Sequence, residues 1–324
     1  MRVCALLLFC LLATPLVQAA QHHLLIISGI GGTDDYREVF ADRATRLYES
    51  AVKAGIDAGN IILLSETDLP DISRSQRISD KPTILQALRE IDARAQVDDR
   101  VFVVLIGHGN ARGDSATFNL PGPDISAAEL ATALTGLQNQ LVIIVNTASS
   151  SGPFIDALSA DNRIVITATS NGREYHATLF GDYFVDAFAE SGADMDKDER
   201  ISMLEAFAFA RRETRRAYDS EKQLLTEHAL LDDNGDGEGS LAPGEFEADG
   251  ALAKRVYLQQ PPSLALGASA QLVTMMQRKQ DLEQSIGELK RQREILPRTD
   301  YYARLEELLV DLALLSREIR AQGG

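Results

Sequence analysis

Apolar positions in this chain fall into short continuous runs, separated by longer stretches in which they recur every three or four residues. The runs lie within His22 to Gly32, Asn60 to Leu64, Val101 to Ile106, Leu141 to Val145 and Arg163 to Thr169. Each is rich in β-branched residues and bounded by Gly or small polar residues. A strand that is apolar throughout, rather than at alternate positions, is buried on both faces, as in a parallel sheet. The intervening stretches have helical spacing. Tyr36 to Ala54 carries Val39, Phe40, Ala44, Leu47 and Ala51 on one stripe. Pro82 to Arg94 begins with Pro in its first turn, and Ser126 with Glu129 forms a capping box opening a helix through Leu137. Phe154 to Leu158 starts another. Strand–helix alternation of this kind predicts an α/β fold, a mainly parallel sheet with helices on both faces. Ser65 to Lys81 and Asn110 to Asp124 read as loops.

Beyond Gly181 the pattern changes. A helical region is expected to about Leu231, then a Pro/Gly-rich linker from about Ala242 to Gly267. Two further helices follow. Leu272, Met275, Met276, Leu282, Ile286 and Leu289 mark the first, Pro297 to Asp300 breaks the run, and Tyr302, Leu305, Leu309, Leu312, Leu315 and Ile319 mark the second. This spacing predicts a helical hairpin or short antiparallel coiled coil. It could bind a partner helix, self-associate through residues 268–324, or pack on its own domain. The expected organisation is a signal peptide (1–20), an α/β domain (21–190), a helical extension (191–250), a linker (251–267) and the hairpin (268–324).

The first 20 residues have the form of a secretory signal, with Arg2, an apolar core from Cys4 to Leu12, and Val17-Gln18-Ala19 before a cut after Ala19 or Ala20. A secreted or periplasmic location follows as an expectation. The chain's two cysteines, Cys4 and Cys10, both lie in this segment. The processed chain would hold no disulfide and no thiolate. The sequence carries 48 acidic against 32 basic residues, and loss of Arg2 takes the net charge from −16 to about −17. No basic stripe is present, which argues against nucleic-acid binding. Gly29-x-Gly31-Gly32 lacks the spacing of a dinucleotide fingerprint.

Chemistry concentrates at two strand tips. The run from Val101 ends in Gly107-His108-Gly109. The run from Leu141 ends in Asn146-Thr147-Ala148-Ser149-Ser150-Ser151-Gly152. In open α/β sheets ligands gather outside the carboxyl ends of strands, so both tips would face one crevice. This arrangement resembles the caspase–legumain group of cysteine peptidases, most closely the legumain branch, family C13. There one strand ends in His-Gly, and the next in a small residue, the nucleophilic Cys, two residues and Gly. Here Ser149 stands where that family has Cys.

The resemblance extends to Tyr36-Arg37 and Ala41-Asp42, to Arg173-Glu174, and to Gly181-Asp182-Tyr183, and covers roughly residues 22 to 190. It implies that His108 is the acid/base group, that the N–H groups of Gly109 and Ser149 form the oxyanion hole, and that Ser149 takes the nucleophile position. It also implies that Arg37 and Asp182 line a pocket for an Asn side chain. An Arg and an Asp suit a carboxamide, one donating to its oxygen and the other accepting from its nitrogen.

A Ser hydroxyl is far less acidic than a thiol and needs a well-oriented base. The expected function is therefore a secreted pseudo-peptidase that retains a peptide pocket. The alternatives are a serine hydrolase using Ser149, or Thr147, with His108, and a scaffold that binds a protein partner through its hairpin.

Two acidic loops have the oxygen-ligand spacing that hard cations favour. In the first, Asp194, Asp196, Asp198, Arg200 (through its carbonyl), Ser202 and Glu205 occupy the liganding positions of an EF-hand, with Glu199 where Gly is usual. In the second, Asp232, Asn234, Asp236 and Glu238 do so, with Gly237 at the turn, Pro243 in place of the closing Glu, and Glu245 two residues on. Structural Ca2+ is expected at both. The five His residues show no zinc-ligand spacing; only His22 and His23 adjoin, at the expected new N-terminus.

Overall fold

A computed structural model describes residues 20–69, 72, 76–112, 115–189, 191–244, 249–259, 270–291 and 296–323. Its elements are β1 (His22–Ser28), α1 (Asp34–Lys53), β2 (Ile61–Ser65), β3 (Gln76–Ile78), α2 (Lys81–Arg94), β4 (Arg100–Ile106), β5 (Gly109–Arg112), β6 (Ser115–Phe118), β7 (Ile125–Ser126), α3 (Ala127–Ala133), β8 (Leu141–Asn146), α4 (Phe154–Leu158), β9 (Arg163–Thr167), α5 (Phe180–Asp186), α6 (Met203–Ser220), β10 (Leu230–Asp232), α7 (Ala270–Arg291) and α8 (Arg298–Gly323). The signal-like segment, Pro70 and Glu245 lie outside the described residues.

The main sheet has the order β10-β9-β8-β4-β1-β2-β3, parallel except for β10, which runs antiparallel to β9. Side chains alternate across it with the two-residue strand period. Leu24 and Ile26 of β1 enter a core with Phe40 and Leu47 of α1, Phe184 of α5 and Phe207 of α6. Leu25 and Ile27 enter the opposite core, with Leu88 of α2, Leu130 of α3 and Phe154 of α4. Each such fully buried side chain contributes about 1.5–3 kcal/mol. The expectation of an α/β fold with helices on both faces is met. α6 shares the first core, together with Ala193, Ile201, Ala253, Val256 and Leu258, so this part of the helical extension and linker packs directly on the α/β layer.

Helix ends follow their capping residues. Thr33, Asp80, Ser126 and Ser202 each accept a backbone N–H in the first turn of α1, α2, α3 and α6, satisfying donors that have no partner within the helix.

Five sequence expectations change. Ser65 to Lys81, expected as a loop, contains β3, which pairs parallel with β2. Asn110 to Asp124, expected as a loop, forms a small antiparallel sheet in the order β5-β6-β7. Its strands are at most four residues long, too short for their alternation to be visible as a period. The helix expected to Leu137 ends at Ala133. The expected helical region from Gly181 to Leu231 is interrupted, because Leu230–Asp232 adds to the sheet edge as β10. The start of the expected linker is packed: Ala253, Val256, Tyr257 and Leu258 are buried, and Met203 N donates to Val256 O at 2.8 Å. Residues 260–267 of that stretch lie outside the described residues.

α7 and α8 pack on each other, burying Ile286, Leu289, Tyr301 and Leu315. Tyr302, Leu309, Val310 and Leu314 of α8 stay exposed. Lys279 Nζ of α7 meets Asp198 Oδ2 at 3.1 Å. Among the described residues no helix is long and apolar enough to cross a membrane.

Candidate active site at the strand tips

β4 and β8 are neighbours in register, Leu105 opposite Asn146, and Asn146 lies opposite Thr167 of β9. The segments after these strands therefore emerge side by side. Gly107 leaves β4 beneath Phe118. A Cβ at Gly107 would stand 2.9 Å from that ring, and one at Gly29 only 2.8 Å from it, so the absent side chains let the small sheet close over the tips. At Gly109 a Cβ would lie 2.4 Å from the Ser149 carbonyl oxygen. Gly109 is thus the residue that lets the two tips touch.

They touch through hydrogen bonds. Gly109 N donates to Ser149 Oγ at 3.2 Å, and Ser149 Oγ lies 3.2 Å from Gly109 O, to which it can donate. Ser149 is 2% exposed. The hydroxyl at the expected nucleophile position is held by the backbone of the residue expected to supply the oxyanion hole.

His108 is half-buried, with its ring edge-on to Tyr36 (centroids 4.6 Å apart) and Phe40 (4.9 Å) of α1. Its carbonyl accepts from Asn119 N at 3.0 Å. Among the described residues no hydrogen bond reaches its ring nitrogens. Burial, and then the positive charge of Arg43, hold its pKa below the ordinary imidazole value. The ring is neutral near pH 7 and a weaker base than a free His.

The rest of the Ser-rich turn is pinned from outside. Thr147 Oγ1 donates to Leu105 O at 2.9 Å from a fully buried position, which removes it as a nucleophile. Ser150 adopts φ +54°, its N donates to Glu174 O at 2.8 Å and its Oγ to Gly172 O at 3.1 Å. Ser151 Oγ accepts from Ala168 N and Thr169 N, at 3.1 and 3.2 Å.

Arg37 and Asp182 do not face each other as a pair. Arg37 pairs with Asp34 and, at 3.5 Å, with Glu66. Asp182 takes a two-point contact from Arg43, with Nε to Oδ1 and Nη2 to Oδ2 both at 2.5 Å, and a third from Arg46 at 3.3 Å. The buried partner of Asp182 is Arg43, whose side chain is 6% exposed. One signal was available, since Arg43 interrupts the apolar stripe of α1 between Phe40 and Leu47, and a charge there needs a buried partner.

Two more groups escaped the sequence reading. Glu227 accepts from Leu179 N and Phe180 N at 2.8 and 3.0 Å, fixing the start of α5, and burial pushes its pKa up. His228 donates its backbone N to Glu174 Oε2 at 3.0 Å, and its Nδ1 lies 2.8 Å from Glu174 Oε1. No local pattern marks either, because their partners are 47 to 54 residues away in the chain.

Residues 80–232 match the family model described as Peptidase C13 family. That match supports a legumain-like C13 domain over those residues. The matched segment includes His108, Gly109, Ser149 and Asp182 and begins after Arg37; together with the parallel sheet it makes this a caspase-like α/β protein. No curated protein matches the chain.

The acidic loops lie on the far side of β9 and α5 in the chain. One oxygen each of Asp194, Asp196 and Asp198 falls within 4.8 Å of the others. Glu199 adopts φ +67°, the left-handed turn normally left to Gly. Glu205 Oε1 accepts from Met195 N and Asp196 N, while its Oε2 accepts from Ser202 N and Oγ in a capping box. Ser202 caps α6, and the Arg200 guanidinium stacks over Tyr257. In the second loop Asp232 Oδ1 accepts from Asn234 N and Gly235 N, Asp236 Oδ1 accepts from Glu238 N, and Gly237 adopts φ +79°. These oxygens are of the type that hold Ca2+.

Proposed function

We propose that this protein is a secreted pseudo-peptidase: a C13 domain that binds a peptide or protein ligand at the strand tips without cleaving it. One observation carries the reading. The Gly109 amide and the Ser149 hydroxyl are bonded to each other, so the expected oxyanion donor is spent on the expected nucleophile. Acyl transfer needs the amide free for the developing oxyanion and the hydroxyl in the hands of a base. His108 supports the same reading, being neutral, weakened as a base and set between two aromatic edges rather than oriented by a carboxylate. The ligand-facing groups left in the crevice are Tyr36, His108 and the outer face of the Arg43–Asp182–Arg46 network.

The test is covalent labelling. A fluorophosphonate probe is expected to leave the wild-type chain unlabelled. Ser149→Cys, which puts sulfur in the family's position, is expected to gain alkylation by iodoacetamide at that residue. Labelling of wild-type Ser149 that disappears in His108→Ala would overturn the proposal in favour of a serine hydrolase.

A further inference from the structure

Asp232 and Asp233 are consecutive buried carboxylates with opposite fates. Asp233 is fully used: Oδ1 accepts from Gly250 N at 2.8 Å, and Oδ2 from Leu252 N at 2.8 Å and Ala253 N at 2.7 Å. Asp232 is 1% exposed and turns into its own loop, where Oδ1 accepts from Asn234 N and Gly235 N. Its Oδ2 is buried and has no hydrogen-bond partner among the described residues. An anionic oxygen cut off from water and left without a donor or a cation is destabilising.

Another buried carboxylate bonds the backbone of the next residue, Asp233. Asp249, 5% exposed, accepts from Asp233 N through Oδ1 at 3.1 Å, and the charges of Asp233, Asp232 and Asp236 act on it. Among the described residues no ion pair reaches Asp232, Asp233, Asp236 or Asp249. Asp236 lies exposed at the rim, and the backbone bonds of Leu231 with Ser240, 2.8 and 3.1 Å, close the loop behind it.

We infer that the loop Asp232–Glu238 is a binding site for a divalent cation of the calcium class, built around the buried Oδ2 of Asp232. The loop offers oxygen ligands from the side chains of Asp232, Asn234 and Asp236, as a hard cation requires. The first acidic loop is different, because Lys279 already brings a cation to Asp198. The inference is therefore confined to the second loop, and it does not depend on the peptide-binding reading.

The experiment is thermal melting of the full chain in chelator and in added CaCl2, with a calorimetric titration of CaCl2. Calcium is expected to raise the Tm of the wild type and to give a saturable heat. Asp232→Asn and Asp236→Asn are each expected to lose the calcium-dependent rise, while Asp196→Asn keeps it. Asp236 is exposed, so that variant decides the matter without disturbing a buried group. No rise in the wild type would overturn the site and leave water as the partner of Oδ2. So would a full rise in Asp236→Asn, or a rise lost only in Asp196→Asn.

Discussion

The strand-tip crevice and the loop after β10 are opposites. In the crevice the polar groups that chemistry would need are already satisfied by protein: Ser149 by Gly109, Thr147 by Leu105, Asp182 by Arg43. In the loop one buried carboxylate oxygen has no partner among the described residues. A site whose groups have spent their hydrogen bonds on each other has little left to stabilise a transition state. A site that keeps a buried anionic oxygen unpaired is poised for a ligand. The ancestry of this fold draws attention to the crevice, whereas the energetic imbalance lies in the loop.

The largest effect should come from breaking the closure of the crevice. Gly109→Ala would place a methyl group 2.4 Å from the Ser149 carbonyl oxygen. The two tips would have to separate, at a cost of about 3 kcal/mol. Chemical denaturation is expected to show that loss. A neutral result would mean that the tips are free to move apart, and that Gly109 N is available for catalysis after all.

A second test asks whether every buried orphan marks a ligand site. His22 of β1 is fully buried, with Nδ1 on Leu258 O at 3.1 Å and Nε2 unpartnered. Burial, and then Arg100, lower its pKa from 6.5 to about 3. This orphan is a neutral nitrogen, so the fold answers by refusing a proton rather than by recruiting a ligand. The stabilising contribution is whole above pH 6.5 and is lost as pH falls from 6.5 toward 3, because the unfolded chain takes up the proton first. Between pH 7 and pH 5 the loss from this residue should be about 2 kcal/mol. His22→Phe should flatten the pH dependence of stability by that amount, and an unchanged slope would count against the assignment.

The smallest and sharpest test uses the adjacent aspartates. In calcium-free buffer Asp233→Ala should destabilise by about 1–2 kcal/mol, since three backbone N–H groups lose their acceptor. Asp232→Asn should stabilise by about 1 kcal/mol, since it removes the unpaired charge. Equal signs for the two would erase the distinction on which the cation site rests.

Much of this was legible from spacing alone. The five apolar runs became β1, β2, β4, β8 and β9, and the capping box at Ser126 is in place. His108 and Ser149 were placed at adjoining tips because parallel strands end together. The small sheet β5-β6-β7 was not legible, since strands of two to four residues carry no readable period. Nor was β10, whose apolar part is two leucines at the end of a polar stretch.

The sequence by itself determined the layers of the fold, the strand tips that meet, and the loops with oxygen-rich spacing. These follow from periods of two and 3.6 residues and from turn chemistry, all local along the chain. Only the tertiary structure decided which charges pair and which are left over. Arg43 rather than Arg37 holds Asp182 across 139 residues, and Lys279 reaches Asp198 across 81. Asp249 accepts from Asp233 N, while among the described residues Oδ2 of Asp232 has no partner. A pairing of that kind is set by how helices and loops pack around the sheet, and by the cost of burying a charge alone, and neither is written in the order of neighbouring residues.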